Sequence, residues 1–299
     1  MSRPALPHLP APPHRIARPR LFIDAQHGLA NRMRTIASAA SIARQAEHDL
    51  FVVWRTDIHC GARMRDLFDY PGPVIEDGVA DLCRASAAQV FNDMEVEPGS
   101  RHGAQVYPAR CGGDLYIRSA YTLRSPLRRL EDEQAFLHGL RPSAAVADLV
   151  AQVPTPSAVS AHIRMASGTG HDHRPEEGPD NWPEHRHREI AEWREKSHSS
   201  RFVARIDVLL AAGKADTIFL AADLPDTYAL FADRYGPRLR MLSRARFDRS
   251  EEQLQYALAD LLLLTATQRL LASTWSSFSD MAQRLMRARR AIERSGLEF

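Results

Sequence analysis

The sequence predicts an α/β protein made of two doubly wound, Rossmann-like domains. Short apolar segments with the character of buried strands alternate with amphipathic helical segments, and this alternation is typical of parallel sheets. The chain has 299 residues, more than one domain usually holds, so two domains of about 150 residues each are expected. Its hydrophobic fraction of 44% is that of an ordinary globular protein.

The N-terminal half opens with a strand, a loop and a helix. Residues 21–24 are an apolar strand that leads to Gly28, after which apolar side chains recur along one helical face. Residues 50–54 form a second strand, and a helix between two strands favours parallel pairing. From residue 62 to 121, prolines and glycines break the pattern and leave the elements loosely defined. Two helices are predicted to follow, over residues 127–140 and 143–153.

The domain boundary is predicted near residue 153, because a Pro-Thr-Pro step follows at residues 154–156. This gives an N-terminal domain of residues 21–153 and a C-terminal domain of residues 154–299, after a proline-rich lead-in, residues 1–20, that is expected to be disordered. In the C-terminal domain, strands are predicted at residues 158–163, 217–222, 239–242 and 270–272, and helices at residues 201–212, 227–235, 251–265 and from residue 277.

Charge and cysteine content exclude several classes of protein. The 39 lysines and arginines balance 37 acidic residues, so the chain lacks the basic surplus of a nucleic-acid-binding protein. Its longest apolar run is far shorter than the roughly 20 residues of a transmembrane helix. The three cysteines are widely spaced, as in proteins of reducing compartments, and the N-terminal residues lack the apolar stretch of a signal peptide. We therefore expect a cytoplasmic protein.

The loops that follow three predicted strands carry residues suited to binding a nucleotide. These loops should converge, because ligands of parallel sheets bind beyond the carboxyl ends of the strands. Arg164 can bind a diphosphate through two parallel hydrogen bonds, or form an interdomain salt bridge. Asp223 can accept hydrogen bonds from a base or ribose, or cap the next helix. Ser277, with Asp280 three residues later, is typical of an N-cap, which either binds an anion or only ends a helix.

Four motifs occur in order along most of the chain. They are Gly-Leu-Ala-Asn-Arg-Met-Arg at residues 28–34, continued by Trp54, Cys60 and Asp66-Leu67-Phe68; His162-x-Arg164; the strand that ends in Asp223; and Ser276-Ser277-Phe278-Ser279. This set resembles the fucosyltransferase superfamily, which includes the core α1,6-fucosyltransferases, the nodulation-factor fucosyltransferases and the protein O-fucosyltransferases. The chain is similar to a bacterial member.

The resemblance implies a GT-B-like fold of two facing domains and an inverting glycosyltransferase that uses GDP-fucose without a metal or another cofactor. Consistent with this, the sequence contains no Asp-x-Asp pair. Arg164, together with the helix that begins near Ser277, would neutralise the departing diphosphate. Met165 stands where several relatives have a second basic residue. The implied donor-binding residues are His162, Arg164, Asp223, Ser276, Ser277 and Phe278.

Inversion requires a base that removes the proton of the acceptor hydroxyl. Asp172 lies where the resemblance places a catalytic carboxylate, and His171 is the alternative, although both residues could be solvated parts of a loop. Gly28, Asn31 and Arg32 begin the first helix, so they are expected to face the cleft and contact the acceptor or the donor. Gly28 could instead serve only the turn.

The expected partners are a sugar nucleotide and a glycan, lipid-linked saccharide or peptide acceptor. Trp182 and Trp193 could stack on an acceptor sugar or simply hold their loop. Two alternatives stay open, namely a different sugar nucleotide as the donor, and a degenerate module that binds a nucleotide or glycan without turnover. No metal site is predicted, because no cysteine or ordered carboxylate accompanies the four histidines in this region, His171, His173, His185 and His187.

Overall fold

The computed structural model describes residues 18–108, 112–153, 157–166 and 184–299. In these ranges the strands, in chain order, are β1 (Arg20–Ala25), β2 (Asp49–Val53), β3 (Phe68–Asp69), β4 (Val74–Ile75), β5 (Gln89–Asn92), β6 (Leu115–Ser119), β7 (Arg141–Pro142), β8 (Val159–Ile163), β9 (Ile218–Ala222), β10 (Leu239–Arg240), β11 (Arg269–Ala272) and β12 (Ala291–Arg294). The helices are α1 (Leu29–Gln45), α2 (Met64–Leu67), α3 (Val79–Ser86), α4 (Leu130–Gly139), α5 (Ala144–Ala151), α6 (Glu184–Lys196), α7 (Ser199–Ala211), α8 (Pro225–Tyr235), α9 (Glu251–Thr265) and α10 (Ser277–Leu285). None of these helices is long and apolar enough to cross a membrane.

The first sheet consists of parallel strands in the order β4-β2-β1-β6-β5. β1 lies at its centre, and every residue after Arg20 in this strand is buried. Ile23 of β1 pairs with Val52 of β2 on one side and with Ile117 of β6 on the other. Because β1 and β6 end at the same edge of the sheet, the loops that follow them lie side by side.

The second sheet consists of parallel strands in the order β10-β9-β8-β11-β12. Its central strand β8 is buried along its whole length, as expected of a strand covered on both faces. The strand order reverses between β8 and β11, and sheets of this type bind ligands at such a reversal, beyond the carboxyl ends of the strands. Arg164 follows β8 there, and Ser273 follows β11.

A layer of helices, which we call the seam, joins the two halves of the chain. α1 and α4 come from the first half and pack against α9 and α10 from the second. Met33 and Leu137 on one side and Leu258 and Leu261 on the other belong to a single cluster of buried apolar residues. The two sheets are therefore held by a continuous hydrophobic core.

A buried ion pair crosses the seam. Glu133 of α4 is fully enclosed and accepts hydrogen bonds from Arg128 at 2.5 Å and from Arg284 of α10 at 2.8 Å. Gln134 adds a hydrogen bond of 2.7 Å to the Arg284 carbonyl. Since removing one partner of a buried ion pair typically costs about 3–5 kcal/mol, these contacts fix α10 against the first half.

The predicted α/β class with two doubly wound sheets is confirmed. α9 has the predicted bounds, and every other predicted element of the C-terminal half is found at its place, with ends that differ by two residues or fewer. In the N-terminal half, the predicted strands at residues 21–24 and 50–54 are β1 and β2, and the two predicted helices are α4 and α5.

Two elements of the second half were not predicted. α6 lies between the predicted strand at residues 158–163 and the predicted helix at residues 201–212, so Trp193 lies on a helix and not in a loop. Its weak apolar pattern reflects its exposure, since Arg194 is its only buried residue. The edge strand β12, which is short and partly exposed, was also not predicted. Residues 1–17 of the lead-in and residues 154–156 at the predicted boundary lie outside the described residues.

Candidate active site

Arg164 and Asp223 form an ion pair between the ends of two neighbouring strands. Arg164 follows β8 and Asp223 follows β9, and these strands pair so that Ile163 lies opposite Ala222. The Arg164 Nη1 donates to Asp223 Oδ2. The backbone N–H groups of Met165 and Ala166 donate to the two oxygens of the same carboxylate at 3.1 Å and 3.0 Å. Asp223 therefore fixes both the guanidinium and the loop that follows it.

The charge state of Asp223 follows from these contacts. Burial alone would raise the pKa of this carboxyl, but the nearby charge and hydrogen bond of Arg164, with the two backbone N–H groups, lower the pKa to about 2. The carboxylate is therefore ionised, as an ion pair in a partly enclosed site requires. Asp223 is not the N-cap residue of α8, since Leu224 holds that position. Contact with a donor base or ribose stays a prediction.

Ser273 connects Arg164 to the neighbouring strand β11. Its hydroxyl accepts a hydrogen bond from the Arg164 N–H at 2.9 Å and donates to the His162 carbonyl at 2.9 Å. Its backbone N–H donates to the same carbonyl at 3.0 Å. Ser273 thus joins the loop after β8, which carries Arg164, to the loop after β11, which leads to Ser277. The two loops meet at the point where the strand order reverses.

His162 is enclosed between this loop and α10. Its exposed fraction is 6%, and its ring stacks on Phe278 with centroids 4.7 Å apart. The Nδ1 atom lies 2.7 Å from the Ser279 hydroxyl. Burial lowers the pKa of His162 to about 3, and the neighbouring charges of Arg164 and Arg194 act in the same direction. His162 is therefore neutral at physiological pH.

The N-terminus of α10 completes the cluster. The helix begins at Ser277, as predicted, but its N-cap residue is Ser276 and not Ser277, and no side chain caps it. The preceding Trp275 adopts a positive φ of 56°, a conformation that costs energy for a bulky residue and that tends to occur at functional sites. The uncapped N–H groups at the start of a helix attract anions. Ser277 and Phe278 are half-buried beside them.

Met165 contributes no polar group to this site. Its side chain is buried in the core of the second half, where its sulfur accepts a hydrogen bond from the Ser199 N–H at 3.2 Å. The side chain after the motif arginine therefore points into the protein. Arg194 of α6 is a further cation close enough to His162 to lower the pKa of that ring. Its position could not be predicted from the sequence, because α6 itself was not predicted.

Among the residues expected to face the cleft from the first half, Arg32 differs from the other two. Arg32 is fully buried and donates to the carbonyls of His27 and Arg55 and to the Asp57 carboxylate at 2.7–2.8 Å. Its guanidinium also lies over the Trp54 ring at 4.9 Å. The prediction that Arg32 lines the cleft is wrong, because this side chain stabilises the loops after β1 and β2 from inside the domain.

Gly28 and Asn31 occupy the positions predicted for them at the start of α1. Gly28 is the N-cap residue with φ −70°, so its backbone does not require glycine. A Cβ atom there would approach only the His59 carbonyl, at 4.0 Å. The turn alternative for Gly28 is therefore wrong. Because Gly28 has no side chain, the space beside its Cα atom is open. Asn31 is half-buried and forms no hydrogen bond with the described residues. Substrate contact by either residue stays a prediction.

A cluster of rings lies beside Gly28 in the first half. His27 adopts a positive φ of 63°, and its ring is 5.2 Å from the ring of His59 and 6.2 Å from that of Tyr121. Burial, with the adjacent His59, lowers the pKa of His27 to about 4. Arg34 lies over the Tyr121 ring at 5.4 Å. These residues were not singled out from the sequence, although the strained His27 marks the same loop as Gly28.

A second buried ion pair lies beyond the end of β10. Arg244 donates to Asp260 at 2.6 Å and lies over the rings of Tyr228 and Tyr256 at 5.4 Å and 5.0 Å. Burial raises the pKa of Asp260 to about 6, although Arg244 opposes this effect. This pair could not be predicted from the sequence, since nothing in a local pattern indicates that a loop arginine contacts a helical aspartate.

Of the six remaining residues considered in the sequence analysis, two lie within the described part of the chain and four lie outside it. Asp172, His171, His173 and Trp182 lie outside the described residues. His185 and His187 lie on α6. Within residues 18–108, 112–153, 157–166 and 184–299, no group of three or more histidines, cysteines and carboxylates is arranged to hold a metal ion.

Comparison with solved structures gives consistent matches along nearly the whole chain. The fucosyltransferase NodZ from Bradyrhizobium matches with a TM-score of 0.60 and 14% identity over 89% of this chain and 93% of NodZ. POFUT1 in complex with GDP-fucose matches with a TM-score of 0.53 and 12% identity over 94% of this chain and 98% of POFUT1. The chain has the GT-B fold of the fucosyltransferases.

Arabidopsis thaliana FUT1 in complex with GDP shares this fold, with a TM-score of 0.55 and 14% identity over 92% of this chain and 70% of FUT1. Sequence comparisons give no counterpart, since no protein-family model and no curated protein matches the chain. The likeness to these structures is therefore one of fold. The fold expected from the four motifs is confirmed, with the Arg164 loop and the start of α10 at the strand-order reversal of the second sheet.

Proposed function

We propose that this protein is a glycosyltransferase that transfers fucose from GDP-fucose to a glycan, lipid-linked saccharide or peptide. The observation that carries the proposal is Arg164, held by Asp223 at the strand-order reversal and locked through Ser273 to the strand before α10. A fixed guanidinium near an uncapped helix N-terminus suits a diphosphate. Solved structures of this fold that contain GDP or GDP-fucose support the choice of donor.

The mechanism follows from where charge develops during transfer. As the bond between the sugar and the diphosphate breaks, negative charge grows on the departing phosphate oxygens. Arg164 is already oriented by Asp223, so it can stabilise that charge without reorganisation, and the positive end of the α10 dipole adds to it. Because this interaction strengthens in the transition state, it accelerates the reaction instead of only binding the donor.

The other features of the reaction are also part of the proposal. Attack by the acceptor hydroxyl on the face opposite the diphosphate would invert the anomeric carbon, with Asp172 or His171 as the base. Arg164 would take the part that a metal ion plays in other transferases, so the reaction would need none. The acceptor would enter from the side of Gly28 and Asn31. A bacterial origin and a cytoplasmic location complete the proposal.

Calorimetric titration with GDP and GDP-fucose tests the donor, with UDP and ADP as controls and with a chelator in parallel. We expect binding of GDP and GDP-fucose only, unchanged by the chelator. A response to UDP or ADP instead would favour a different donor. If none of the four nucleotides binds, the proposal is rejected.

The replacement Arg164→Ala tests catalysis. We expect turnover to fall by about 100-fold or more, as when one preorganised donor to a developing anion is lost, while acceptor binding changes little. Arg205→Ala is the matched control, because Arg205 pairs with Glu293 on the second half without touching Arg164. GDP binding by the unaltered protein without any turnover would favour a degenerate binding module.

A further inference from the structure

Ser279, on the first turn of α10, is buried, and its hydroxyl contacts the ring of His162. Its exposed fraction is 1%, and the contact of 2.7 Å between its hydroxyl and His162 Nδ1 is the only hydrogen bond of that hydroxyl among the described residues. We propose that Ser279 is a positioning residue that holds His162 in the tautomer with its proton on Nε2, so that the imidazole is a permanent hydrogen-bond donor in the nucleotide pocket.

The tautomer follows from accounting for each proton. If His162 carried its proton on Nδ1, the Ser279 oxygen would accept it, and the hydroxyl proton would then point into the protein without an acceptor. A buried donor without an acceptor costs free energy and is rare in folded proteins. If Ser279 donates to Nδ1 instead, both groups are satisfied. A neutral imidazole that accepts at Nδ1 must carry its proton on Nε2.

The Nε2 atom is left available to a ligand. It forms no hydrogen bond with the described residues, yet it is not among the buried polar atoms that lack a partner, so it reaches the small exposed surface of His162. The charges of Arg164 and Asp223 both act on this ring, which places it beside the proposed donor site. The Nε2–H group would therefore donate to an oxygen or nitrogen acceptor of the bound nucleotide.

The environment of His162 keeps this donor constant with pH. Burial lowers the pKa of the ring to about 3, so the imidazole does not gain a second proton under physiological conditions. Stacking on Phe278 limits rotation of the ring. Without Ser279, the ring could exchange its proton between the two nitrogen atoms, and a fraction of the molecules would present an acceptor where the nucleotide requires a donor.

The tautomer can be measured in the free protein by long-range proton–nitrogen NMR of chain labelled with ¹⁵N-histidine. The His162 signals are assigned by their loss in His162→Gln. We expect the Nε2–H form in the unaltered protein, a mixture or the Nδ1–H form in Ser279→Ala, and return of the Nε2–H form in Ser279→Thr, which keeps the hydroxyl. Ser160→Ala is the control, because it removes a different buried hydroxyl, on β8, which hydrogen-bonds Leu264, Thr267 and Arg269 and not His162.

Calorimetry with GDP gives the second readout, and it rests on the proposed function. We expect Ser279→Ala to weaken GDP binding by about 3- to 10-fold, the usual effect of one neutral hydrogen bond, with Ser279→Thr close to the unaltered protein. An Nδ1–H form in the unaltered protein, or a Ser279→Ala variant with unchanged tautomer and affinity, would overturn the proposal. If no variant binds GDP, the proposed donor is wrong, while the NMR spectra still decide the role of Ser279.

Discussion

Replacing Arg164 by methionine removes the charge beside Asp223 while keeping an unbranched side chain of similar reach. The replacement leaves a carboxylate in a site where both side chains are only about one-seventh exposed, 15% for Arg164 and 13% for Asp223. The backbone N–H groups of Met165 and Ala166 still donate to it. The variant should therefore fold, but with lower stability, because part of what keeps Asp223 ionised has gone.

The size of the effect follows from the pKa of Asp223. Its lowering from 3.8 to about 2, at 1.36 kcal/mol for each pH unit, corresponds to about 2–3 kcal/mol of stability at neutral pH. Because the folded-state pKa is depressed, this stability is complete above about pH 4 and is lost as the pH falls towards 2. The two backbone donors account for a share, so we expect a coupling of about 2 kcal/mol between Arg164 and Asp223.

The assay is a double-mutant cycle of Arg164→Met, Asp223→Asn and the double variant, followed by urea unfolding at pH 5 and pH 7. The coupling should be the same at both pH values, since both lie above the unfolded pKa of Asp223. The exposed pair of Lys196 and Glu192 is the matched control and should give less than about 1 kcal/mol. A coupling below about 0.5 kcal/mol would refute the view that Asp223 holds Arg164 electrostatically.

Three further outcomes are expected. Glu133→Gln should cost about 3 kcal/mol or more because it leaves Arg284 without its buried partner in the seam, and scanning calorimetry would detect the lower Tm. His162→Gln should make the free energy of unfolding less sensitive to acid. In the unaltered protein the pKa of His162 is depressed to about 3, so the unfolded state takes up a proton that the folded state does not, and stability falls by about 2 kcal/mol from pH 6.5 to pH 5. Urea unfolding at each pH measures the difference. Arg32→Met should cost about 3 kcal/mol and shift the fluorescence of the adjacent Trp54.

The elements found from the sequence are those whose local pattern matches their burial. α9 was predicted with its observed bounds because Leu254, Leu258 and Leu261 follow a helical period and are all buried. β8 and β11 were found because each is a short, largely buried segment that lies inside its sheet and not at the edge. In both cases the local sequence pattern and the tertiary packing favour the same type of element. A prediction from local pattern succeeds under that condition.

The elements that were missed have weak or misleading local patterns. α6 is mostly polar and has only one buried residue, so its sequence resembles that of a loop. β12 lies at the edge of its sheet, where Glu293 pairs with arginines and no alternating pattern develops. β5 pairs outside β6, although it precedes β6 in the chain. This arrangement depends on contacts between distant residues, which a local period cannot express.

The candidate site was predictable in its location but not in its contacts. The carboxyl-end rule for parallel sheets placed Arg164, Asp223 and the start of α10 at one edge, because it depends only on strand order. Which groups pair could not be predicted, since Asp223 carries the same sequence signal whether it binds Arg164, a ligand or a helix end. Arg32 was misplaced for a related reason, because arginine is almost always exposed unless it is paired.

α10 connects the candidate site to the seam, because its two ends lie in different surroundings. Its first turn belongs to the candidate site, and its last turn is bound to the first half through Arg284 and Glu133. Nine residues give a rod of about 13 Å between the two ends. One rigid helix therefore connects the candidate site to the packing between the two halves. A change that loosens α10 at Arg284 would also displace the backbone N–H groups at its first turn.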